Sequence, residues 1–83
     1  MNRKEFIKRL VNAKKELGDP IRFNLMEETF SVRTYVFNAG YPYLKVLQHY
    51  HNHATEDDEY SEMFLDISWL ERILKRLKSK LKP

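Results

Sequence analysis

A chain of 83 residues, 42% hydrophobic and 13% aromatic, has the apolar content for one small domain over 1–83. It is too short for two, and at this size folding hides only about 60–65% of the unfolded chain's surface. It contains no cysteine, which excludes a disulfide framework and a thiolate zinc site. The net charge of +3 is unevenly spread: residues 1–17 hold six Lys/Arg against two acids, residues 18–67 three against nine, and residues 68–83 six against one.

Basic ends therefore flank an acidic middle. No apolar run approaches the roughly 18 residues of a membrane span, so the expectation is a soluble cytoplasmic protein with no membrane partner.

Asn2 can cap a helix in which Phe6, Ile7, Leu10, Val11, Ala13 and Leu17 recur at the spacing of one apolar face. Arg3, Lys4, Lys8, Arg9, Lys14 and Lys15 occupy the other side, and Gly18 followed by Asp19-Pro20 ends the helix. From Ile21 the period changes to two: Ile21, Phe23 and Leu25 alternate with Arg22, Asn24 and Met26, the pattern of a half-buried strand. Glu27-Glu28 is predicted as a two-residue turn into a second strand over Thr29 to Asn38.

That second strand alternates Phe30, Val32, Thr34 and Val36 with Ser31, Arg33, Tyr35 and Phe37, so both sides are partly apolar and turn parity decides which goes inward. A three-residue loop Ala39-Gly40-Tyr41 would pair Asn38 with Pro42, Val36 with Leu44, Thr34 with Val46 and Phe30 with Tyr50. The same parity brings Ile21, Phe23 and Leu25 beside this set, which is taken as the core face. The second face then carries Arg22, Arg33, Tyr35, Phe37, Tyr43, Lys45, Leu47, His49 and His51 and is predicted to lie open.

Asn52 to Glu59, with four consecutive acids, reads as a solvated loop. A fourth strand follows, with Met63, Leu65 and Ile67 in the core phase and Tyr60, Glu62 and Phe64 on the second face. Ser68-Trp69-Leu70-Glu71 has the form of a capping box. It opens a helix with the stripe Trp69, Leu70, Ile73, Leu74, Leu77 and Leu81, and with Arg72, Lys75, Arg76, Lys78, Lys80 and Lys82 around the rest. The predicted fold is α+β in the order α-β-β-β-β-α: a four-stranded antiparallel sheet with the N-terminal and C-terminal helices packed on one face.

No complete catalytic, metal-binding or phosphate-loop motif is present, and no cofactor or catalytic residue is assigned. His49, His51 and His53 share one face of a strand at about 6.5–7 Å intervals. They are weak metal candidates only, since a distant carboxylate such as Glu62 would have to complete the site. With Tyr50, Tyr43, Arg33 or Lys45 nearby, they are also candidates for general acid and base work in a nuclease.

The second face is the more informative feature. Arg33, Tyr35, Phe37, Tyr43, Lys45 and Phe64, together with the acidic loop Glu56, Asp57, Asp58 and Glu59, form the predicted partner-binding set. The expectation is a non-enzymatic interaction protein that binds, and in one form inhibits, a macromolecular partner. A protein ranks ahead of a nucleic acid, and a homodimer through the open face is one version. The alternative is an RNA- or DNA-binding module using Arg33 and Lys45 with the helix cations Arg72, Lys75, Arg76, Lys78 and Lys80.

The order of elements is similar to that of the double-stranded-RNA-binding domain, which has a helix, three strands and a helix with both helices on one sheet face. That family opens its last helix with a lysine cluster where this chain has Ser68-Trp69-Leu70-Glu71, so no binding residues carry over. In size and acidic-loop character the chain also resembles the small inhibitory proteins of bacteriophages, including anti-CRISPR proteins, and that likeness implies an inhibitory role.

Overall fold

A computed structural model of the chain describes residues 1–81; Lys82, grouped above with the helix cations, lies outside them. Helix α1 (Arg3–Leu17) is followed by strands β1 (Ile21–Met26), β2 (Phe30–Asn38), β3 (Tyr43–Asn52) and β4 (Asp58–Asp66) and by helix α2 (Ser68–Leu81). The strands form one antiparallel sheet in the order β1-β2-β3-β4. No helix among the described residues is long and apolar enough to cross a membrane.

Helix α1 begins as its sequence dictates. Asn2 is extended, and its Oδ1 accepts the Glu5 N–H at 2.8 Å, satisfying an amide that has no partner inside the helix. At the other end the Gly18 N–H donates to the Lys14 carbonyl, and Gly18 turns the chain at φ 89°.

The hairpins keep the predicted parity but shift the register. The β1–β2 turn falls on Glu28-Thr29, closed by the Glu27 N–H donating to the Phe30 carbonyl, so Leu25 pairs with Val32 and Ile21 with Val36. Between β2 and β3 five residues, Ala39 to Tyr43, separate the last paired positions, instead of three. Gly40 at φ 88° donates to Asn38 Oδ1, Tyr43 donates to the Gly40 carbonyl, and the Tyr41-Pro42 peptide is cis. Asn38 therefore faces Leu44 and Val36 faces Val46, two positions from the expected partners. A shift of two leaves every side chain on its predicted face, since that alternation has period two.

The fold differs from expectation in which face the helix covers. Helix α1 lies on the face predicted to be open. Phe6 and Ala13 pack with Phe37 and Leu47 in a core flanked by Leu10, Leu17, Tyr35 and Tyr60. The Phe6 ring meets Tyr60 at 5.1 Å and Tyr35 at 6.3 Å between centroids. The charged residues of this face do not prevent burial because their stems lie along the surface while the charges pair at its rim. Arg9 of α1 bridges Glu5 at 2.9 Å and Glu62 of β4 at 3.0 Å, and Lys45 approaches Glu62 at 3.7 Å.

The opposite face, read from sequence as the core, is uncovered. Ile21, Phe23, Leu25, Met63 and Leu65 remain 39–64% exposed there. Val46, in the middle of the same face, is shielded by its neighbours on the flanking strands and is buried.

Helix α2 buries none of its residues. It starts immediately after Ile67, whose N–H donates to the Pro42 carbonyl, and the Ser68 N–H donates to Asp66 Oδ1 at 2.9 Å. Asp66 thus supplies the cap expected from Ser68. Glu71 turns to the Tyr41 hydroxyl, where its carboxylate raises the tyrosine's pKa, and the predicted capping box is not formed. The stripe residues Trp69, Leu70, Ile73, Leu74 and Leu77 stay 43–55% exposed.

Candidate functional site

Two regions concentrate chemistry. The first is the histidine end of the face beneath α1, where the β3–β4 register sets His51 opposite Asp58 and His49 opposite Tyr60. His49 Nε2–H and His51 Nδ1–H both donate to Asp58 Oδ1, at 2.7 and 2.8 Å. Those hydrogen bonds, His49 first, hold the Asp58 carboxyl below its ordinary pKa, against the opposing effect of desolvation. The His49 ring stacks on Tyr60 at 4.5 Å, and the His51 and His53 rings meet edge to face at 5.1 Å.

A cleft lined by Met26, Ser31, Arg33, His49, His51 and His53 opens on one side of this cluster. On the other side a second cleft runs under α1 between Arg3, Phe6, Arg33, Tyr35 and Tyr60. Arg33 borders both.

The turn that follows is ordered by Asn52. Its Oδ1 accepts the Ala54 and Thr55 amides, its carbonyl accepts the Glu56 N–H, and its own N–H donates to the Asp57 carbonyl. The His53 N–H donates to the Thr29 carbonyl, and Glu56 takes a positive φ of 62°. The acidic run is therefore divided: Glu56, Asp57 and Glu59 point to solvent, while Asp58 belongs to the histidines. Among the described residues no three His, Asp or Glu side chains converge as a metal site.

The second region is the uncovered apolar face together with the stripe of α2. Apart from Glu59 at one end, its side chains are uncharged: Ile21, Phe23, Leu25, Val32, Thr34, Val36, Leu44, Val46, Gln48, Tyr50, Ser61, Met63 and Leu65. Phe30 adds to it by stacking on Tyr50 at 5.5 Å.

The residues predicted to bind a partner are thus scattered. Phe37 is 1% exposed under α1 and is a core residue, and Tyr35 packs against Phe6. Lys45 is held between Glu62 and the Phe64 ring, 5.6 Å from its centroid. Tyr43, Phe64 and Arg33 keep exposed surface, and Arg72, Lys75, Arg76, Lys78 and Lys80 lie on solvent-facing turns of α2.

Two features escaped the sequence reading. The link between Asp58 and the histidines was signalled by the hairpin: with a six-residue connection, His51 and Asp58 become direct cross-strand partners. The uncovered face was signalled by its own composition, a continuous apolar set that the fold leaves without a helix.

No protein-family model matches the chain, and neither the curated proteins nor the solved structures contain a match.

Proposed function

We propose that this is a non-enzymatic interaction protein acting in the cytoplasm, and that its working surface is the uncovered sheet face, which takes a protein partner. The observation that carries this reading is the exposure of Ile21, Phe23, Leu25, Met63 and Leu65 on one continuous, nearly uncharged face. An exposed apolar patch of that kind marks a contact surface. Its lack of cations favours a protein over a nucleic acid, because phosphate recognition depends on Lys and Arg. The non-enzymatic reading is supported by His49 and His51, both of which donate to one carboxylate oxygen. Among the described residues no hydroxyl nucleophile is hydrogen-bonded to either ring. Inhibition would follow where the face occupies a surface that the partner needs.

The test is affinity capture with the parent chain and with a Phe23→Ser, Leu65→Ser variant whose circular dichroism shows an intact fold. Loss of captured protein with the variant is expected. Unchanged protein capture by the variant overturns the reading.

A second reading has its own observation: Arg72, Lys75, Arg76, Lys78 and Lys80 lie on one projecting helix, and among the described residues none is ion-paired. Nucleic-acid binding through these five cations would give a log–log salt slope of about −4.5 on duplex DNA. A flat mobility-shift result at low salt removes it.

A further inference from the structure

Resting on the interaction reading, we propose that the partner of the uncovered face is a second copy of this chain: α2 of each copy lies on the open sheet face of the other in a reciprocal two-fold dimer.

The area is that of a dimer. A folded 10.1 kDa chain exposes about 5,300 Å² by the usual scaling of surface with mass, whereas this chain exposes 6878 Å². The excess is about 1,600 Å² per chain, so two chains hiding it would bury about 3,200 Å², within the range of obligate homodimers.

The shape agrees. The radius of gyration is 16.6 Å, against about 12 Å for a compact chain of this length. The longest extent of 55 Å corresponds to a nine-residue strand of about 30 Å followed end to end by a 14-residue helix of about 21 Å. Helix α2 projects past the sheet.

The junction keeps it there. Compact folds join strand to helix with about 2–6 residues, and here Ile67 alone separates β4 from α2. The Ile67 N–H is bonded to Pro42 and the Ser68 N–H to Asp66. Folding α2 back onto its own sheet would break both bonds and unwind its first turn. Docking on another copy breaks neither.

The surfaces are complementary. The stripe of α2 is apolar and so is the sheet face, and a helix of about 21 Å fits along a strand of about 30 Å. Entering from the partner's Asp66 end, the helix runs toward the partner's far end, so that its last-turn cations Lys78 and Lys80 are directed toward the end of the face that carries Glu59. Because each copy both gives a helix and receives one, the arrangement closes at two and leaves no unfilled face to propagate.

The absence of cysteine makes the test clean. A Met63→Cys, Ile73→Cys variant is oxidised and run without reductant, and the parent mass is measured by light scattering. The expected results are a covalent two-chain species and a solution mass twice 10.1 kDa. Leu70→Ser, Leu74→Ser is expected to lower that mass twofold with the strand signal in circular dichroism retained, since both side chains are exposed in the single chain.

A one-chain mass for the parent, or a disulfide formed only within one chain, overturns the dimer. If protein capture is then still lost with Phe23→Ser, Leu65→Ser, the interaction reading stands with a different partner. If capture is unchanged, both are overturned.

Discussion

Helices α1 and α2 are near equals in sequence, 15 and 14 residues long, each with an apolar stripe and a basic outer side. Yet α1 buries Phe6 and Ala13 while α2 buries nothing. The difference lies in their attachment. Three residues join α1 to β1, and Gly18 at φ 89°, ψ −168° turns the chain so that the helix lies back across the sheet. One residue, Ile67, joins β4 to α2, and the bonds that its N–H and that of Ser68 donate direct the helix away. Amphipathicity states that a helix must be covered; the connector decides whether its own sheet can do it.

The two sheet faces show the same contrast and offer the strongest way to break it. Phe37→Ala, under α1, is expected to cost about 3–5 kcal/mol in denaturant unfolding. At a concentration low enough for single chains, Phe23→Ala on the open face should cost no more than about 1 kcal/mol. Equal losses would mean that the two faces are equally covered.

Gly18→Ala tests the connector of α1. An added Cβ meets nothing within 4 Å, so the expected loss of about 1–3 kcal/mol is conformational, from forcing a side chain into a backbone region open to glycine. A neutral result would remove the glycine from the explanation. At the start of the same helix, Asn2→Ala should cost about 1 kcal/mol through the lost bond to the Glu5 amide, read as a shift in the unfolding midpoint.

The smallest effect is expected at Asp58, whose carboxylate is exposed. Its folded-state pKa is depressed by His49 and His51. Its contribution to stability is therefore complete above the unfolded carboxylate value of about 3.9 and is lost as pH falls through the lower folded value. Asp58→Asn should flatten that part of the acid-unfolding profile. An unchanged profile would show that the histidines do not hold Asp58 in solution.

Much of the architecture was readable because it is local. Asn2 and Gly18 mark α1, the change of period at Ile21 marks β1, and Gly40 marks the central turn. The two-residue register shift went unseen because Ala39 to Tyr43 can separate the paired positions by three residues or by five, and either keeps the faces. The Asp58–histidine cluster was half visible: the alternation of His49, His51 and His53 was plain, but their partner depended on where β4 begins.

By itself the sequence determined the order of the elements, their approximate ends and which side chains share a face, since helix and strand periods and turn residues act over a few positions. Only the tertiary structure decided which face α1 covers and where α2 points. Both faces of the sheet are apolar enough to form a core. Phe37 and Leu47 were chosen over Ile21 and Phe23 because α1 seats on the aromatic side, with Arg9 and Glu62 pairing across the rim. The direction of α2 followed from the single residue Ile67 and its hydrogen bond to Pro42, a contact 25 positions back in the chain that no local pattern announces.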